Sequence, residues 1–596
     1  MCGIAGSLSF SGISKQHLLW VEEAVRLQSH RGPDFDAVKK CSEKVVFGHN
    51  RLSILDLDER SHQPFSKDNV HWLVFNGEIY NYKQLAKKYE LKIATESDTE
   101  VLWELLIKLP IERVLKEING MFAFAFYSKS DGTVVLARDR FGIKPLHLFK
   151  DKEALFFSSE LRPLISRSGK KLNLTAFSEY LLYQAPLHEN DLIDGISRLK
   201  PGEALRIDLN SGDEQRFLWY KPNLAETPDD TDLKSVFQNA VKHRMISDVP
   251  IGAFLSGGID STAIVTAMRS VSNSEVHTFN VRFPDFESTD SDLAQKTAEM
   301  LGTHHTAIEL SENEIISMIP DLVLSMDVPS PDAINTGIVS KKTKEAGITV
   351  ALSGVGGDEF FAGYPSFRRF QKLRKTGFLK PFVQLTAEIL ALSGKRSFQK
   401  SARILRNSDN PEMVTALSRL LFLPEEVEAL GMKSNVNQAL VQTNGFRAVS
   451  DAELNYYTFP LLLRDTDQMS MQHALEVRVP FFDHLLVEYI RSNGDHYFSP
   501  TKVAKSYLIE ALSPDFPTHV INQPKTGFVL PMDQWLKGKL KDFTRSGLDS
   551  ERLKHALPGF EAEKYWKIFN SGNMIWSQIW SLSVLGHWME KHKISV

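Results

Sequence analysis

The sequence VPIGAFLSGGIDS at residues 249–261 organises the rest of the chain, because an apolar run, a glycine turn and a helix start follow one another there. The run 249–255 predicts a buried parallel strand, and the two glycines permit a tight turn before a helix that packs on the sheet. Free backbone N–H groups and the positive helix end then point at one place, where an anion binds. A Ser-Gly-Gly turn can also be an ordinary loop, so the interpretation depends on the rest of the chain.

The same alternation of strand and helix continues along the chain. Apolar runs at 277–281 and 348–352 predict two further strands with a helix between them. The alternation predicts a parallel, doubly wound sheet whose ligands bind at the carboxyl ends of the strands. The last of these strands runs into the glycine-rich loop 353–364, which contains Asp358 and Glu359. This acidic pair either begins a helix or serves Mg²⁺, which takes oxygen ligands from protein and phosphates together.

Length and composition set broad limits. A chain of 596 residues should hold several domains, because a single core stops growing at about 250 to 300 residues. The net charge of -4 gives no broad electrostatic reason for nucleic acid or an anionic membrane as a partner. The N-terminus lacks the basic and apolar regions of a signal peptide, so we expect none, and the sequence contains no apolar run of about 18 residues that could span a bilayer. Cys2 and Cys41 are the only cysteines, which favours a reducing cytoplasm and argues against a structural zinc site.

The N-terminus offers a nucleophile. Removal of the initiator methionine would leave Cys2 with a thiol and a free α-amine, whose ordinary pKa is about 7.7 to 8.0. That amine can take the proton of the thiol and so activate it. The alternative is a terminal cysteine without function.

Two later positions offer groups that an amino-acid substrate would need. Asn76-Gly77 between apolar runs is normally a hairpin turn, but the Asn76 side chain and the Gly77 N–H could also hold an oxyanion. Ser97 and Glu100 have capping-box spacing at the start of a helix. Asp98 is then left to interact with the helix dipole or with a substrate ammonium.

Five strings in this order resemble the glutaminase domain of the class II glutamine amidotransferases: MCGIAG (1–6), HRGPD (30–34), HNRLSI (49–54), NGEIYN (76–81) and ESDTE (96–100). That domain is an N-terminal-nucleophile hydrolase with an αββα sandwich. The resemblance implies that Cys2 attacks the side-chain amide of glutamine and forms a thioester, while Asn76 and Gly77 hold the oxyanion. It also implies a set of glutamine-binding residues: Arg51 for the carboxylate, Asp98 for the α-amine, and Leu52, Ile54 and Glu78.

The second half resembles the asparagine synthetase family. The SGGIDS loop is similar to the pyrophosphate loop of the ATP pyrophosphatases, and further family strings are RDTDQMSM (464–471), LEVRVPFFD (475–483) and PKTGF (524–528). Asp467, Glu476 and Arg478 within these strings are expected to form structural pairs, because buried charges are costly unless paired.

The resemblance implies a site for ATP and Mg²⁺. Asp260 and Asp358 would bind the metal, and Glu359 would be the catalytic carboxylate of the amidation step. The implied ATP-binding residues are Leu255, Ser256, Gly257, Gly258, Asp260, Ser261, Val281, Ser353, Gly354 and Lys525.

The resemblance covers nearly the whole chain and implies two domains. We expect a glutaminase domain at 1–220, a linker at 221–232, and at 233–596 an α/β domain with a parallel sheet and added helices. The implied function is ATP-dependent synthesis of asparagine from aspartate through β-aspartyl-AMP, with ammonia taken from glutamine. The expected partners are glutamine, ATP and the acceptor, without nucleic acid or membrane, and a homodimer is compatible with this.

Two alternatives stay open. The same chemistry could amidate another carboxylate, such as a uronic acid of a surface polysaccharide, because the segment 327–336 departs from dedicated asparagine synthetases. The sequence also departs from the family pattern at Leu146-His147 and at Thr289-Asp290. Alternatively, the second half could be a regulatory nucleotide-binding module, although the intact loops at 256–261 and 353–364 argue against that.

Overall fold

The computed structural model describes residues 2–221, 232–284, 289–375, 380–434, 436, 440–521, 523 and 530–596. Lys525 and nearly all of the expected linker 221–232 therefore lie outside the described residues. The described chain forms an N-terminal unit of antiparallel sheets and a C-terminal unit built on a parallel sheet.

The N-terminal unit contains two antiparallel sheets. Its strands are β1 (Gly3–Ser9), β2 (Phe35–Lys40), β3 (Val45–Arg51), β4 (His71–Ile79), β5 (Gly120–Ser128), β6 (Thr133–Arg138), β7 (His147–Lys150), β8 (Ala154–Ser158), β9 (Ile196–Arg198), β10 (Glu203–Asp208) and β11 (Glu214–Leu218). Its helices are α1 (Lys15–Leu27), α2 (Tyr82–Lys88), α3 (Asp98–Lys108), α4 (Ile111–Glu117), α5 (Leu161–Ile165) and α6 (Leu174–Tyr183). The strand orders are β2-β3-β1-β8-β7-β9 and β11-β10-β6-β5-β4.

The two sheets pack face to face. Alternate side chains point inward from each strand, and those from both sheets, among them Ile4, Phe47 and Val74, form one buried cluster. Helix α1 lies against β3 so closely that a Cβ at Gly48 would come within 2.5 Å of Val25. Helix α3 packs against β4 of the other sheet. The layers are helix, sheet, sheet and helix, which confirms the predicted αββα sandwich.

The C-terminal unit contains one five-stranded sheet surrounded by helices. Its strands are β12 (Ile251–Phe254), β13 (His277–Arg282), β14 (His304–Glu309), β15 (Val350–Leu352) and β16 (Glu476–Arg478). Its helices are α7 (Leu233–Arg244), α8 (Ile259–Val271), α9 (Thr289–Leu301), α10 (Glu312–Ser325), α11 (Ile334–Glu345), α12 (Gly357–Phe360), α13 (Pro365–Lys375), α14 (Lys380–Ala391), α15 (Arg396–Arg406), α16 (Pro411–Arg419), α17 (Pro424–Ala429), α18 (Gly445–Glu453), a π-helix (Leu454–Leu463), α19 (Arg464–Met471), α20 (His484–Ser492), α21 (Ser506–Leu512), α22 (Met532–Lys537), α23 (Lys541–Leu548), α24 (Glu551–Ala556), α25 (Ala562–Asn570) and α26 (Trp576–His592). Of the helices in the described ranges, none is both long and apolar enough to cross a bilayer.

The parallel sheet has the order β14-β13-β12-β15-β16, and each pair of neighbours is parallel. Strand β12 pairs with β13 on one side and with β15 on the other, so the strand order reverses there. Ligands of doubly wound sheets bind at such a reversal, outside the carboxyl ends of the strands. The two glycine-rich loops leave β12 and β15 at this place. The predicted doubly wound parallel sheet is confirmed, with β14 and β16 as strands that the sequence did not indicate.

Two segments have a local structure other than the one typical of their sequence. Asn76 and Gly77 lie inside β4 rather than in a hairpin turn, because β4 continues to Ile79 along β5. Ser97 caps α3 by accepting from the Thr99 N–H (3.1 Å), but Glu100 does not complete a capping box. The Glu100 carboxylate instead accepts from the N–H groups of the preceding loop and pairs with Lys67 (2.7 Å).

Candidate active sites

A pocket in the N-terminal unit brings together most of the residues predicted to handle glutamine. Its empty space amounts to about 350 Å³, including part that is open to solvent, and it lies beside the ends of β3 and β4 and the start of α3. Its lining includes Cys2, Arg51, Leu52, Ile54, Gly77, Glu78 and Asp98, together with Leu55, Ser61, Gln63, Phe75, Ser97 and Thr99. The predicted nucleophile, a cation and two carboxylates therefore share one concave site.

Asn76 holds Cys2, the predicted nucleophile. The Cys2 backbone nitrogen donates to Asn76 Oδ1 (3.0 Å), and burial raises the pKa of the Cys2 thiol. Asn76 Nδ2 is buried and has no hydrogen-bond partner among the described residues. A buried amide donor without a partner is costly, so its place beside the thiol suits a donor that waits for a developing oxyanion.

Gly77 is required by packing as well as by any chemistry. Its φ is +156°, and a Cβ there would overlap the Met121 carbonyl oxygen and lie 2.7 Å from Phe122 Cα. Strands β4 and β5 pair at this point, so a larger residue would fit only if the two paired strands moved apart. Its role as an oxyanion donor stays a prediction.

Arg51 and Asp98 provide opposite charges at the pocket. The Arg51 guanidinium donates to the carbonyl groups of Asp58 (2.9 Å) and Asp56, which fixes its position. Asp98 accepts from the Ile79 N–H (2.8 Å), while burial raises the pKa of its carboxyl to about 6. One fixed cation and one fixed anion match the carboxylate and ammonium of an amino acid.

Glu78 connects this pocket to the C-terminal unit. Burial and the charge of Glu476 raise the pKa of the Glu78 carboxyl well above its usual range. Its Oε2 lies 3.7 Å from Nη2 of Arg478, whose Nε pairs with Glu476 at 2.6 Å. Arg478 and Glu476 lie on β16. The Glu78 side chain of this pocket therefore contacts the parallel sheet of the C-terminal unit.

A second buried ion network joins the two units beside Cys2. Arg31 donates to the Cys2 carbonyl (3.2 Å) and to Asp467 (2.8 Å), and Lys144 also donates to Asp467 (3.3 Å). Arg31 and Lys144 belong to the N-terminal unit, and Asp467 lies on α19. The expected structural pairing of Asp467, Glu476 and Arg478 is therefore present, and it runs across the boundary between the units.

The first glycine loop has the local geometry of an anion site. The Ser256 and Ser261 hydroxyl groups lie 2.9 Å apart, and the Gly258 N–H donates to Ser256 Oγ (3.2 Å). Gly258 is the N-cap of the 13-residue helix α8, and a glycine has no side chain with which to cap the helix. The positive helix end therefore faces the loop without a competing carboxylate from the cap residue.

The two glycine loops touch each other. A Cβ at Gly354 in the second loop would lie 2.9 Å from Asp260 Cβ. The first loop also contacts α9, because a Cβ at Gly257 would lie 2.9 Å from Leu293 Cβ. Ser353 is held by its N–H, which donates to the Arg478 carbonyl (2.9 Å). Leu255 is buried, and its N–H donates to the carbonyl oxygen of Phe279 on β13. Val281 lies on the same strand and is half-buried.

Lys505 lies between the two predicted metal ligands and was not predicted from the sequence. Its ammonium pairs with Asp260 and, at 2.6 Å, with Asp358. Burial opposes the charged form, but these two carboxylates raise the pKa of Lys505 above its usual value. As one of 70 Lys and Arg residues, directly before α21, it carries no sequence signal that would distinguish it.

The carboxylates fit Mg²⁺. Both Asp260 and Asp358 reach a single cation, and a Cβ at Gly357 or Gly363 would overlap their carboxyl groups. The described residues contain no group of three or more His, Cys, Asp and Glu side chains that could hold a metal alone. Mg²⁺ is normally bound by one or two carboxylates plus substrate phosphates, which agrees with a pair of this kind.

The Glu359 side chain is buried and directly follows Asp358, one of the two predicted metal ligands. Tyr364 (3.0 Å) and Thr458 both donate to its Oε1, and its Oε2 is buried without a hydrogen-bond partner among the described residues. Burial and the neighbouring Asp358 raise the pKa of Glu359 to about 7. Thr458 belongs to the π-helix, a type of helix that often occurs at functional sites.

The segment 327–336 contacts both units. Asp327 accepts from the Arg162 N–H (2.8 Å) and therefore faces the N-terminal unit. Asp332 instead accepts from the Tyr457 hydroxyl (3.4 Å), and burial, with the charge of Asp465, raises its pKa to about 6. Only the second part of the segment therefore adjoins the π-helix that also contacts Glu359.

Comparison with known proteins agrees with both halves. A family model described as "Asparagine synthase" matches residues 232–590, and one described as "Glutamine amidotransferase domain" matches residues 1–219. Asparagine synthetase [glutamine-hydrolyzing] 1 of Bacillus subtilis is 30% identical over 572 residues, which cover 92% of this chain and 89% of the relative.

Two further relatives mark the breadth of the family. Asparagine synthetase B [glutamine-hydrolyzing] of Escherichia coli is 30% identical over 62% of this chain and 66% of its own length. Amidase chry2 of Gibberella zeae is 25% identical over 91% of this chain and 90% of its own length. The chain belongs to the asparagine synthase family and is a glutamine-hydrolysing carbon–nitrogen ligase.

Proposed function

We propose that the enzyme activates an acceptor carboxylate with ATP in a domain at 233–596 and amidates it with ammonia released in a domain at 1–220, the two being joined by a linker at 221–232. The observation that carries this proposal is the convergence of Asp260 and Asp358, from two separate glycine loops, on one cation. Such a pair at the reversal of a doubly wound sheet is suited to a nucleoside triphosphate and its metal.

In the glutaminase half, Cys2 Sγ attacks the side-chain amide carbon of glutamine. Asn76 Nδ2 and the Gly77 N–H stabilise the oxyanion, while Arg51 and Asp98 hold the α-carboxylate and α-ammonium. Collapse of the tetrahedral species releases ammonia and leaves a thioester, which water hydrolyses to glutamate. Leu52 and Ile54 enclose the aliphatic part of glutamine in the shared pocket.

Ammonia reaches the second site through the interior. Ammonium in water is not a nucleophile, so the product must remain unprotonated on its way. Cys2 and Glu359 are both buried, and the ion pairs of Arg31 and Arg478 cross the boundary between the units.

Free Cys2 and Cys41 thiols are consistent with a reducing compartment.

In the synthetase half, an acceptor carboxylate oxygen attacks the α-phosphorus of ATP, and pyrophosphate leaves. Mg²⁺ held by Asp260 and Asp358 would neutralise phosphate charge. The loop residues Ser256, Gly257, Gly258 and Ser261 bind the pyrophosphate, as does Lys525. Ammonia then attacks the acyl-adenylate carbon, Glu359 takes a proton from the new C–N centre, and AMP leaves.

We propose aspartate as the acceptor and β-aspartyl-AMP as the intermediate. Aspartate needs an anion for its ammonium and a cation for its α-carboxylate. Asp332 is such an anion, and Arg464 Nη1, buried without a hydrogen-bond partner among the described residues, is such a cation. Arg464 pairs through its other nitrogens with Asp465, the residue whose charge acts on Asp332.

A sugar acid is the second candidate. The relative named an amidase covers the same two halves, so this architecture is not restricted to proteins named asparagine synthetase. Release of pyrophosphate should be measured with ATP and Mg²⁺ in the presence of aspartate, glucuronate, galacturonate or no acceptor. Stimulation by aspartate alone supports the first candidate, and stimulation by a uronate alone supports the second. Pyrophosphate release that no carboxylate stimulates contradicts both.

A further inference from the structure

Helix α14 exposes an apolar stripe. Of its twelve residues only Ala387 is buried. Phe382 (68% exposed), Leu385 (58%) and Ile389 (61%) continue to Leu392 (88%) just beyond the helix. Spacings of three, four and three residues place these side chains on one helix face. A single exposed apolar residue is ordinary, but a contiguous row of four marks a surface that something covers.

The same region has a strong local charge. Residues 367–406 contain eleven Lys and Arg and a single acidic residue, Glu388, which gives +10. The whole chain carries -4, so the rest carries -14. The near-neutral net charge thus conceals a basic segment within an acidic protein.

Several of these cations are available to a ligand. Arg396, Arg403 and Arg406 are paired, with Glu426, Glu425 and Glu388. By contrast, Arg368, Lys372, Lys375 and Lys395 are exposed and form no ion pair with another described residue. Lys372 and Lys375 lie in the last turn of α13, before α14, and Lys395 directly precedes α15. Unpaired cations therefore flank both ends of the apolar stripe.

We propose that the hairpin α14–α15, with the end of α13, is a docking surface for an anionic lipid bilayer. An apolar helix face inserts into the headgroup boundary while flanking lysines contact anionic lipid, and the two contributions together give stable peripheral binding. A second copy of this chain would cover the stripe only by bringing two segments of +10 together, because a two-fold interface pairs each patch with itself. The charge therefore favours the bilayer over self-association.

The proposed docking surface lies close in sequence to Glu359, the predicted catalytic carboxylate of the C-terminal unit. Helix α13 begins at Pro365, directly after Tyr364, which contacts Glu359. Its eleven residues span about 16 Å at the rise of an α-helix. Docking would hold that site near the membrane surface, whichever carboxylate the enzyme amidates.

The test is co-sedimentation of the full-length protein with vesicles of equimolar phosphatidylcholine and phosphatidylglycerol, or of phosphatidylcholine alone. The stripe variant is Leu385→Ser/Ile389→Ser, and the charge variant is Lys372→Gln/Lys375→Gln. Each lysine near an anionic surface contributes about a factor of five to binding, so the charge variant should bind about 25-fold more weakly. The matched control, Lys83→Gln/Lys87→Gln, removes two exposed lysines from α2, far from the hairpin in sequence. Urea unfolding followed by tryptophan fluorescence verifies that the C-terminal unit of every variant is folded.

The wild type should bind anionic vesicles, bind neutral ones weakly and lose affinity in high salt, and both hairpin variants should lose binding while the control keeps it. The proposal is overturned if wild-type protein stays in the supernatant at low ionic strength, or if the hairpin variants bind as well as the control. It is also overturned if Leu385→Ser/Ile389→Ser converts a dimer to a monomer without changing vesicle binding, because a second copy would then be the occupant.

Discussion

Replacing Lys505 with methionine would test whether one cation joins the two glycine loops. Methionine keeps most of the side-chain length and removes the charge, so Asp260 and Asp358 lose the ammonium that they share. These carboxylates are 20% and 14% exposed, and Lys505 is 6% exposed. Removing one partner of a buried ion pair costs about 3 to 5 kcal/mol, and the partial exposure of the carboxylates places this case at about 3 kcal/mol.

Urea unfolding followed by tryptophan fluorescence would measure this loss. Five of the nine tryptophans report on the C-terminal unit: Trp535, Trp566, Trp576, Trp580 and Trp588. The free energy of unfolding of that unit, from linear extrapolation, should fall by about 3 kcal/mol in Lys505→Met. A second variant, Lys505→Met/Asp358→Asn, removes one of the two facing charges and should recover about half of the loss.

Catalysis supplies an independent readout of the same change. Lys505→Met should lose acceptor-dependent pyrophosphate release while glutamine hydrolysis continues, because the thiol site lies in the other unit. The reasoning is refuted if Lys505→Met is as stable as the wild type, or if the double variant is less stable than the single one. Either result would mean that the carboxylates do not interact through this lysine.

Three further changes test the proposed roles. Cys2→Ala should abolish glutamine-driven synthesis but leave ammonia-driven synthesis, and substantial glutaminase activity in this variant would refute the nucleophile. Gly77→Ala should destabilise the N-terminal unit and abolish glutaminase activity, because a Cβ overlaps the β5 backbone; a variant with normal stability would contradict that packing. Glu359→Gln should slow amide formation by about 10² to 10⁴ while acceptor-dependent exchange of pyrophosphate into ATP continues. Since the pKa of Glu359 is raised to about 7, its basic form prevails above that pH, and amide formation in the wild type should fall as pH drops through 7; an acid limb that persists in Glu359→Gln would assign it to another group.

The fold could be predicted where its signals are contiguous in the sequence. The strand, turn and helix at 249–261 are encoded within thirteen residues, and the structure places β12 and α8 there. The N-terminal sandwich followed from short strings, each of which covers the end of a strand or helix and the adjoining loop. Strand β16 could not be predicted in this way, because three residues carry no periodicity and the strand exists only by pairing with β15.

Asn76-Gly77 shows how a local rule fails when tertiary pairing dominates. The pair has the sequence of a hairpin turn, yet strand pairing with β5 runs straight through it. The glycine is needed because the two backbones approach closely, not because the chain reverses. Gly77 lines the pocket, and its local structure could not be predicted because composition cannot show which strand a segment will pair with.

Lys505 was missed for a related reason. It lies 245 residues beyond Asp260, and its φ of +56° belongs to a region that favours glycine. A lysine held in that conformation, with both neighbouring carboxylates on other loops, is positioned by tertiary contacts alone. Lys525 carried a stronger sequence signal because it lies inside a family string, and its role stays a prediction.

The HRGPD string supported the family resemblance without any assigned role, and the structure supplies one. Arg31 donates to the carbonyl of Cys2, the predicted nucleophile, and to Asp467 in the first turn of α19, the helix that directly follows the π-helix contacting Glu359. A single buried guanidinium therefore contacts the first reacting residue of one site and a helix that continues into the other. Because a buried charge is costly to leave unpaired, any displacement of Cys2 would have to be accommodated by Arg31, Asp467 or both.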